Sequence, residues 1–469
     1  MDASGFVSRG YEGVRDAFAL AQSTDQGGAQ LCVFRHGRKV VDLWAGRDKV
    51  NDRPYGQDTL TIIMSCTKGA TATVVHRLAE RGLIDYDAPV ADYWPEFAGG
   101  GKGEARIWQA MSHSVGLPGV DPESGLEAWD LLLPERHVPV LESMAPVWEP
   151  GASCHYHPIT YGSLLNEVVR RVTGKSVAQV FAEEIAAPLG LDFWIGLPAD
   201  EEARVAPHFE PTPGPSADQI GALIAGMGVD TTTRLAKVVL HSFRQTGELI
   251  VSMNSREGRA AELPAGNGVT DAASLARMYA ALIGEVDGVR LLNPETVEKA
   301  RTLRTGAMVP AGDLGKLQFG DPLRYGLGYE LPRDATPMLG QGSFGHAGAG
   351  GRIGFAHPES GIAAAYVANT CSPSRLDLTR AGPGCRSCAR RSHRIGDTIS
   401  YICPTHIYNC EWIGLPRRWP RFKIGSRPRP DRHHVHHRRS LHPRTRRAPR
   451  RRRSGRGRCG RRPQRDPAS

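Results

Sequence analysis

The sequence predicts an α+β fold: an antiparallel sheet flanked by helices, with a mainly helical domain inserted into it. Three observations predict this. Segments that alternate apolar and polar residues, the period of a half-buried strand, lie near both ends of residues 1–370. Segments with apolar residues spaced near 3.6, the period of a helix, fill the text between them. The chain has 469 residues, 40% hydrophobic and 23% charged, which is globular composition and excludes full-length disorder or a fibrous protein.

Taken in order, residues 7–22 space Val7, Tyr11, Val14, Phe18 and Ala21 for an amphipathic helix. QLCVFRHGRKVVDLWAG (30–46) alternates around His36-Gly37 and reads as a β-hairpin. A loop with Asn51, Pro54 and Gly56 follows, then TIIMSCTKGATATVVHRLAERGL (61–83), which reads as a helix with Ala70, Val74, Leu78 and Leu83 on roughly one face. From Asp85 to about Glu298 helical pieces alternate with Gly/Pro loops; the clearest are ARIWQAMSHS, ITYGSLLNEVVRRVTG, SVAQVFAEEIAAPLG and DAASLARMYAALIG. Strand patterns return in RYGLGYELP (324–332) and in FGHAGAGGRIGFAHPESGIAAAYVANT (344–370), the latter a second hairpin around Pro358–Gly361. The expected division is a sheet domain from 1–84 and 299–370, a helical domain at 85–298, and a tail at 371–469.

The tail differs in kind. It holds 27 Lys and Arg, 26 of them Arg, against 5 acidic residues, a net +22, so residues 1–370 carry −12 of the total +10. Arg, His and Pro dominate there and apolar periodicity fades, so disorder is expected. Its Cys385-x2-Cys388, Cys403-x2-His406 and Cys410 have zinc-like spacing, but no packed module surrounds them and no metal is expected. A nucleic-acid partner is expected only through this polycation, unless its bias to Arg marks translation of a shifted reading frame. No apolar run of 18 residues and no basic-then-apolar start are present, so no membrane span and a cytoplasmic location are expected. Nine cysteines in 469 residues do not make a disulfide scaffold.

Three motifs could carry chemistry. Ser65-Cys66-Thr67-Lys68 opens a predicted helix, where residues three apart share a face. Lys68 Nζ can reach Ser65 Oγ there, the helix N-terminus favours developing negative charge, and a desolvated lysine gives up its proton readily. A capping serine beside a solvated lysine would give the same spacing. Trp148-Glu-Pro-Gly-Ala-Ser-Cys-His-Tyr156-His157-Pro158 puts a tyrosine between a turn and a helix, where its hydroxyl can enter a cleft or simply pack. Phe344-Gly-His346-Ala347-Gly348-Ala349 sets glycines in a strand, the sign of close approach by a ligand or another backbone, or of a bulged edge strand with a surface histidine. No G-x-S-x-G elbow and no H-E-x-x-H occur. Gly340-x-Gly342-x-x-Gly345 is followed by a strand, so it is not a dinucleotide fingerprint.

In this chain order the motifs resemble the serine β-lactamase and penicillin-binding superfamily (β-lactamase/transpeptidase-like), most closely its class C-like carboxylesterase branch, the family VIII esterases. S-x-x-K falls on Ser65 and Lys68, Y-x-N on Tyr156-His157-Pro158, and K-T-G or H-x-G on His346-Ala347-Gly348. MSHSVGLP (111–118), VVRRVTGKS (168–176), PLGLDFWIGLP (188–198) and GGRIGFAHPESG are similar to the family too. The resemblance implies an acyl-enzyme on Ser65, Lys68 and Tyr156 as general base and acid, His346 and Gly348 on the substrate side, an oxyanion hole from the backbone N–H groups of Ser65 and Ala349, and no cofactor. Pro158 replaces the usual Asn and His346 the usual Lys, so simple short-chain esters are expected as substrates and β-lactams are not. A catalytically weak binding protein on the same fold is the alternative. Oligomeric state is not legible.

Overall fold

The computed structural model describes residues 2–209, 222, 224–317 and 322–370. The expectations for the tail, its zinc-like spacing and its nucleic-acid partner included, lie outside those residues.

In chain order the elements that position the site are β1 (Ser4–Val7), α1 (Glu12–Ser23), β2 (Gly28–Arg35), β3 (Arg38–Asp48), α2 (Thr67–Glu80), α3 (Thr160–Thr173), α4 (Arg234–Ser252), α5 (Ala272–Ile283), β4 (Phe344–Gly348), β5 (Arg352–His357) and β6 (Ile362–Ala368). The strands form one antiparallel sheet in the order β1-β3-β2-β6-β5-β4, with a two-residue strand, Arg53–Pro54, beside β3. Its centre joins segments far apart in the chain: β6 pairs with β2, Ala365 opposite Cys32, across more than 300 residues.

Strand alternation sorts the side chains onto two faces. Leu31, Val33, Ile353, Phe355, Ala364 and Tyr366 pack with Val14 and Phe18 of α1 on one. Cys32, Phe34, Ala356, Ala363, Ala365 and Val367 join the large core built around α2, α3 and α5 on the other. Gly354 is where that second face meets α5: a Cβ there would come 2.7 Å from the Tyr279 ring and 2.8 Å from Leu275.

Four expectations are corrected. The N-terminal helix starts later: Val7 is in β1 opposite Val41, and Gly10, at φ +93°, breaks the chain before α1. The helix expected over 61–83 is shorter. Thr61 and Ile62 pair with Thr270 and Val269, a strand role that suits their β-branched side chains, and a single helical turn at Met64–Cys66 precedes α2. RYGLGYELP is not a strand: Gly328 sits at φ +79°, and the segment folds into a loop closed by a Tyr325–Glu330 bridge. The 344–348 strand does lie at the sheet edge, but its histidine, His346, is fully buried. Among the described residues no helix is long and apolar enough to cross a membrane.

Candidate active site

The first motif lies where a strained turn enters a helix. Met64, just before Ser65, has φ +51°, a left-handed conformation that costs a side-chain-bearing residue energy and persists only where the surroundings impose it. Ile63 N–H donates to Gly268 O at 2.9 Å on one side, and Thr67 Oγ1 donates to Met64 O at 2.6 Å on the other. The turn sits against β4, and only glycine allows it. A Cβ on Gly348 would stand 2.3 Å from Ile63 O and 3.1 Å from Cys66 Sγ.

One turn after Ser65, as the second residue of α2, Lys68 is completely buried. Its Nζ donates to Pro158 O at 2.8 Å and to Ala265 O at 2.7 Å, and stands 3.3 Å from Ser65 Oγ. Nζ also lies 4.9 Å from the centre of the Tyr156 ring. Burial pushes its pKa well below the ordinary 10.5, and the opposing influence is the Cys66 thiol, not a carboxylate. A neutral amine has two N–H groups and one lone pair. With both N–H groups given to the two carbonyls, the lone pair is left for the serine.

Tyr156 completes the cluster by donating its hydroxyl to Ser65 Oγ at 2.7 Å. Its ring is held by histidines. The His113 ring lies 4.9 Å from it, and His113 Nδ1 accepts from His157 N–H at 3.1 Å. His157 donates from Nδ1 to His155 O at 2.6 Å and accepts at Nε2 from Leu117 N–H at 3.2 Å, which fixes its tautomer as neutral. Burial depresses all three, His155 to about 4 and His157 to about 3, so the ring against Tyr156 and the two histidines linked to it are uncharged at pH 7.

The third motif divides. Gly348 abuts the turn around Ser65, and Ala349 shares a cavity wall with Ser65. His346 lies behind them, its ring centre 6.3 Å from that of Tyr156, and is not among the described residues that wall the cavity. Burial depresses it to about 4, so it is a neutral imidazole at pH 7. The cavity, about 250 Å³, opens beside Ser65 and Tyr156 and is mostly apolar, with Met64, Ile159, Phe243, Ile250 and Met253 in its wall.

The structure thus brings Ser65, Lys68, Tyr156, Gly348 and Ala349 to one place and sets His346 further along the strand. Sequence reasoning missed the two carbonyls that hold Lys68. Pro158 was singled out only for its side chain, and Ala265, 197 residues from Lys68, lies in a Gly/Pro loop with no chemical signature. His113 was visible only as part of MSHSVGLP.

A hydroxyl touching a desolvated amine and a phenol beside an apolar cavity is the equipment of a serine hydrolase. Comparison with known proteins agrees. The Beta-lactamase family pattern matches residues 16–382, and the chain belongs to that family. It is 39% identical over 356 residues to the esterase/β-lactamase LipL of Mycobacterium tuberculosis, covering 73% of this chain and 77% of that protein. The crystal structure of a family VIII carboxylesterase superposes with a TM-score of 0.69 at 30% identity, over 86% of this chain and 99% of that one. EstA from Arthrobacter nitroguajacolicus Rue61a matches at 0.69 and 29%, over the same shares. The chain is a β-lactamase-related serine hydrolase.

Proposed function

We propose that this protein hydrolyses short-chain carboxylic esters through an acyl-enzyme on Ser65. The observation that carries the reading is the three-way contact at Ser65 Oγ, 2.7 Å from the Tyr156 hydroxyl and 3.3 Å from Lys68 Nζ, at the edge of an apolar cavity.

Lys68, neutral because it is buried, takes the Ser65 proton as Oγ bonds to the ester carbonyl carbon. The carbonyl oxygen gathers charge facing the backbone N–H groups of Ser65 and Ala349 and the N-terminal end of α2. The bond to the alcohol then breaks. Tyr156 gives its proton to the departing alkoxide and recovers one from the Lys68 ammonium, which returns the amine to its neutral form. Water attacks the acyl–Oγ ester, passing a proton back through the same pair, and releases acid and free Ser65.

Two features favour simple esters over β-lactams. His346 is uncharged and set back from the cavity, so it offers a substrate carboxylate no ion pair. Pro158 gives its carbonyl to Lys68 and has no side-chain amide to offer a substrate. One relative's name gives both activities, esterase and β-lactamase, while the other names a carboxylesterase, which supports the ester half of the reading.

The test is turnover of p-nitrophenyl acetate and of nitrocefin by the wild type and Ser65→Ala. Ester turnover that disappears in Ser65→Ala, with nitrocefin cleaved slowly or not at all, is expected. Ester turnover that survives Ser65→Ala would refute the reading.

A further inference from the structure

Gly247 stands in a position that helix physics disfavours. It is the fourteenth residue of the nineteen in α4, where glycine is destabilising relative to alanine. Nothing about the backbone asks for it. Its φ is not positive, and no described atom lies within 4 Å of the point a Cβ would occupy. By contrast Gly348, Gly354 and Gly328 are all places where a Cβ would meet a neighbour at less than 3 Å. Gly247 is itself exposed and lines the open side of the cavity that Ser65 walls, between Phe243, one turn before it, and Ile250, one turn after it. The opposite side of α4 is fixed, with Ser242 Oγ donating to Pro118 O at 2.9 Å and Gln245 Nε2 donating to Leu126 O at 2.8 Å. The wall therefore does not yield easily, and the missing side chain is open volume.

We propose that Gly247 is a specificity-determining residue, and that the gap it leaves between Phe243 and Ile250 receives the aliphatic acyl chain of the ester. The inference rests on the esterase reading above and extends its substrate range upward in chain length. The whole cavity, about 250 Å³, has room for about eight groups the size of a water or a methylene, and the gap beside Gly247 is part of it. The acyl group is assigned to it because that group stays bonded to Ser65 through both half-reactions, whereas the alcohol must leave.

The experiment is the ratio of kcat/KM for p-nitrophenyl octanoate to that for p-nitrophenyl acetate. It is read in the full chain for wild type, Gly247→Ala, Gly247→Leu and Val251→Leu. Val251 is exposed on the same helix and walls no part of the cavity. Gly247→Leu is expected to lower the ratio about tenfold or more and Gly247→Ala about two- to threefold, while Val251→Leu leaves it unchanged. Gly247→Ala, a favourable helix substitution, keeps the question open to refutation if Gly247→Leu does not fold. An unchanged ratio in Gly247→Ala and Gly247→Leu overturns the assignment of the acyl chain to this gap. So does the same loss seen with octyl acetate, where the alcohol and not the acid is lengthened. A wild type that turns over neither ester overturns the esterase reading itself.

Discussion

Two lysines are buried in this molecule in nearly the same way. Lys102 is 1% exposed and donates to two main-chain oxygens, Gly99 O and Glu142 O, each at 2.6 Å, with the Phe97 ring 4.8 Å beneath it. Lys68 is 0% exposed and donates to Pro158 O and Ala265 O, with the Tyr156 ring 4.9 Å beneath it. The difference lies in what else faces each amine. Around Lys102 the Glu142 charge partly offsets burial, so its pKa falls only to about 8, and it ties a loop to the helix Pro134–Ser143. Around Lys68 no carboxylate offsets burial, and a serine hydroxyl and a cavity stand within reach. Desolvation makes either ammonium give up its proton more readily; only Lys68 then has a hydroxyl beside it from which a neutral amine can take one.

The comparison is sharpened most by removing each amine. Lys68→Met is expected to lower ester kcat/KM by about 10³- to 10⁴-fold, the upper range for loss of a general base. Lys102→Met should stay within about twofold of wild type. Equal losses in steady-state assays of the two variants would break the distinction. Tyr156→Phe keeps the ring over Lys68 and removes the proton donor, so a loss of about 10²-fold is expected, measured on the same substrates.

The pH profile separates the lysines further. If Lys68 is the base, as proposed, it works only when unprotonated, so kcat/KM should fall as pH drops through its depressed pKa. That acid limb should be unmoved in Lys102→Met. A profile flat down to the range where the protein unfolds would exclude Lys68 as the base.

Stability follows pH for a related reason. His76, His155 and His346 are held near 4 and His157 near 3 by burial, below the ordinary 6.5. Between those values the unfolded chain binds protons that the folded chain does not. Stability is therefore whole above 6.5 and is lost as pH falls, by about 1.4 kcal/mol per pH unit for each histidine. Urea midpoints at pH 7.5 and pH 5 would check this; equal midpoints would refute it.

The smallest expected effect is on Lys102. Lys102→Met leaves Gly99 O and Glu142 O without their donor, at a cost of about 1–3 kcal/mol in urea unfolding. The sign also depends on pH. Between about 8 and 10.5 the unfolded lysine holds a proton that the folded one lacks, so wild-type stability rises with pH across that window. Lys102→Met should flatten the rise.

Much of this was legible in the text. The hairpins at 28–48 and 352–368 follow from two-residue alternation, and the Ser65–Lys68 approach follows from helix spacing. The errors cluster where a neighbour overrode local pattern. Val7 fits a helix period but pairs with Val41, and Thr61-Ile62 continues an apolar run but pairs with Val269-Thr270. Those partners lie too far along the chain for local periodicity to reveal them. His346 was read with the substrate-contacting residues. It shares a strand face with Gly348, but it sits further along the strand, where a Cβ on Gly69 of α2 would stand 3.9 Å from its own Cβ, and it is not among the described residues that wall the cavity.

By itself the sequence determined the residue types and the local geometry: a hydroxyl and an amine three residues apart, because backbone period fixes that distance whatever surrounds it. Tertiary structure decided that the amine is dry. Lys68 loses its water and gains the carbonyls of Pro158 and Ala265 only when segments 90 and 197 residues away close over it. Its proton affinity is a property of those surroundings, and no spacing within the motif encodes them.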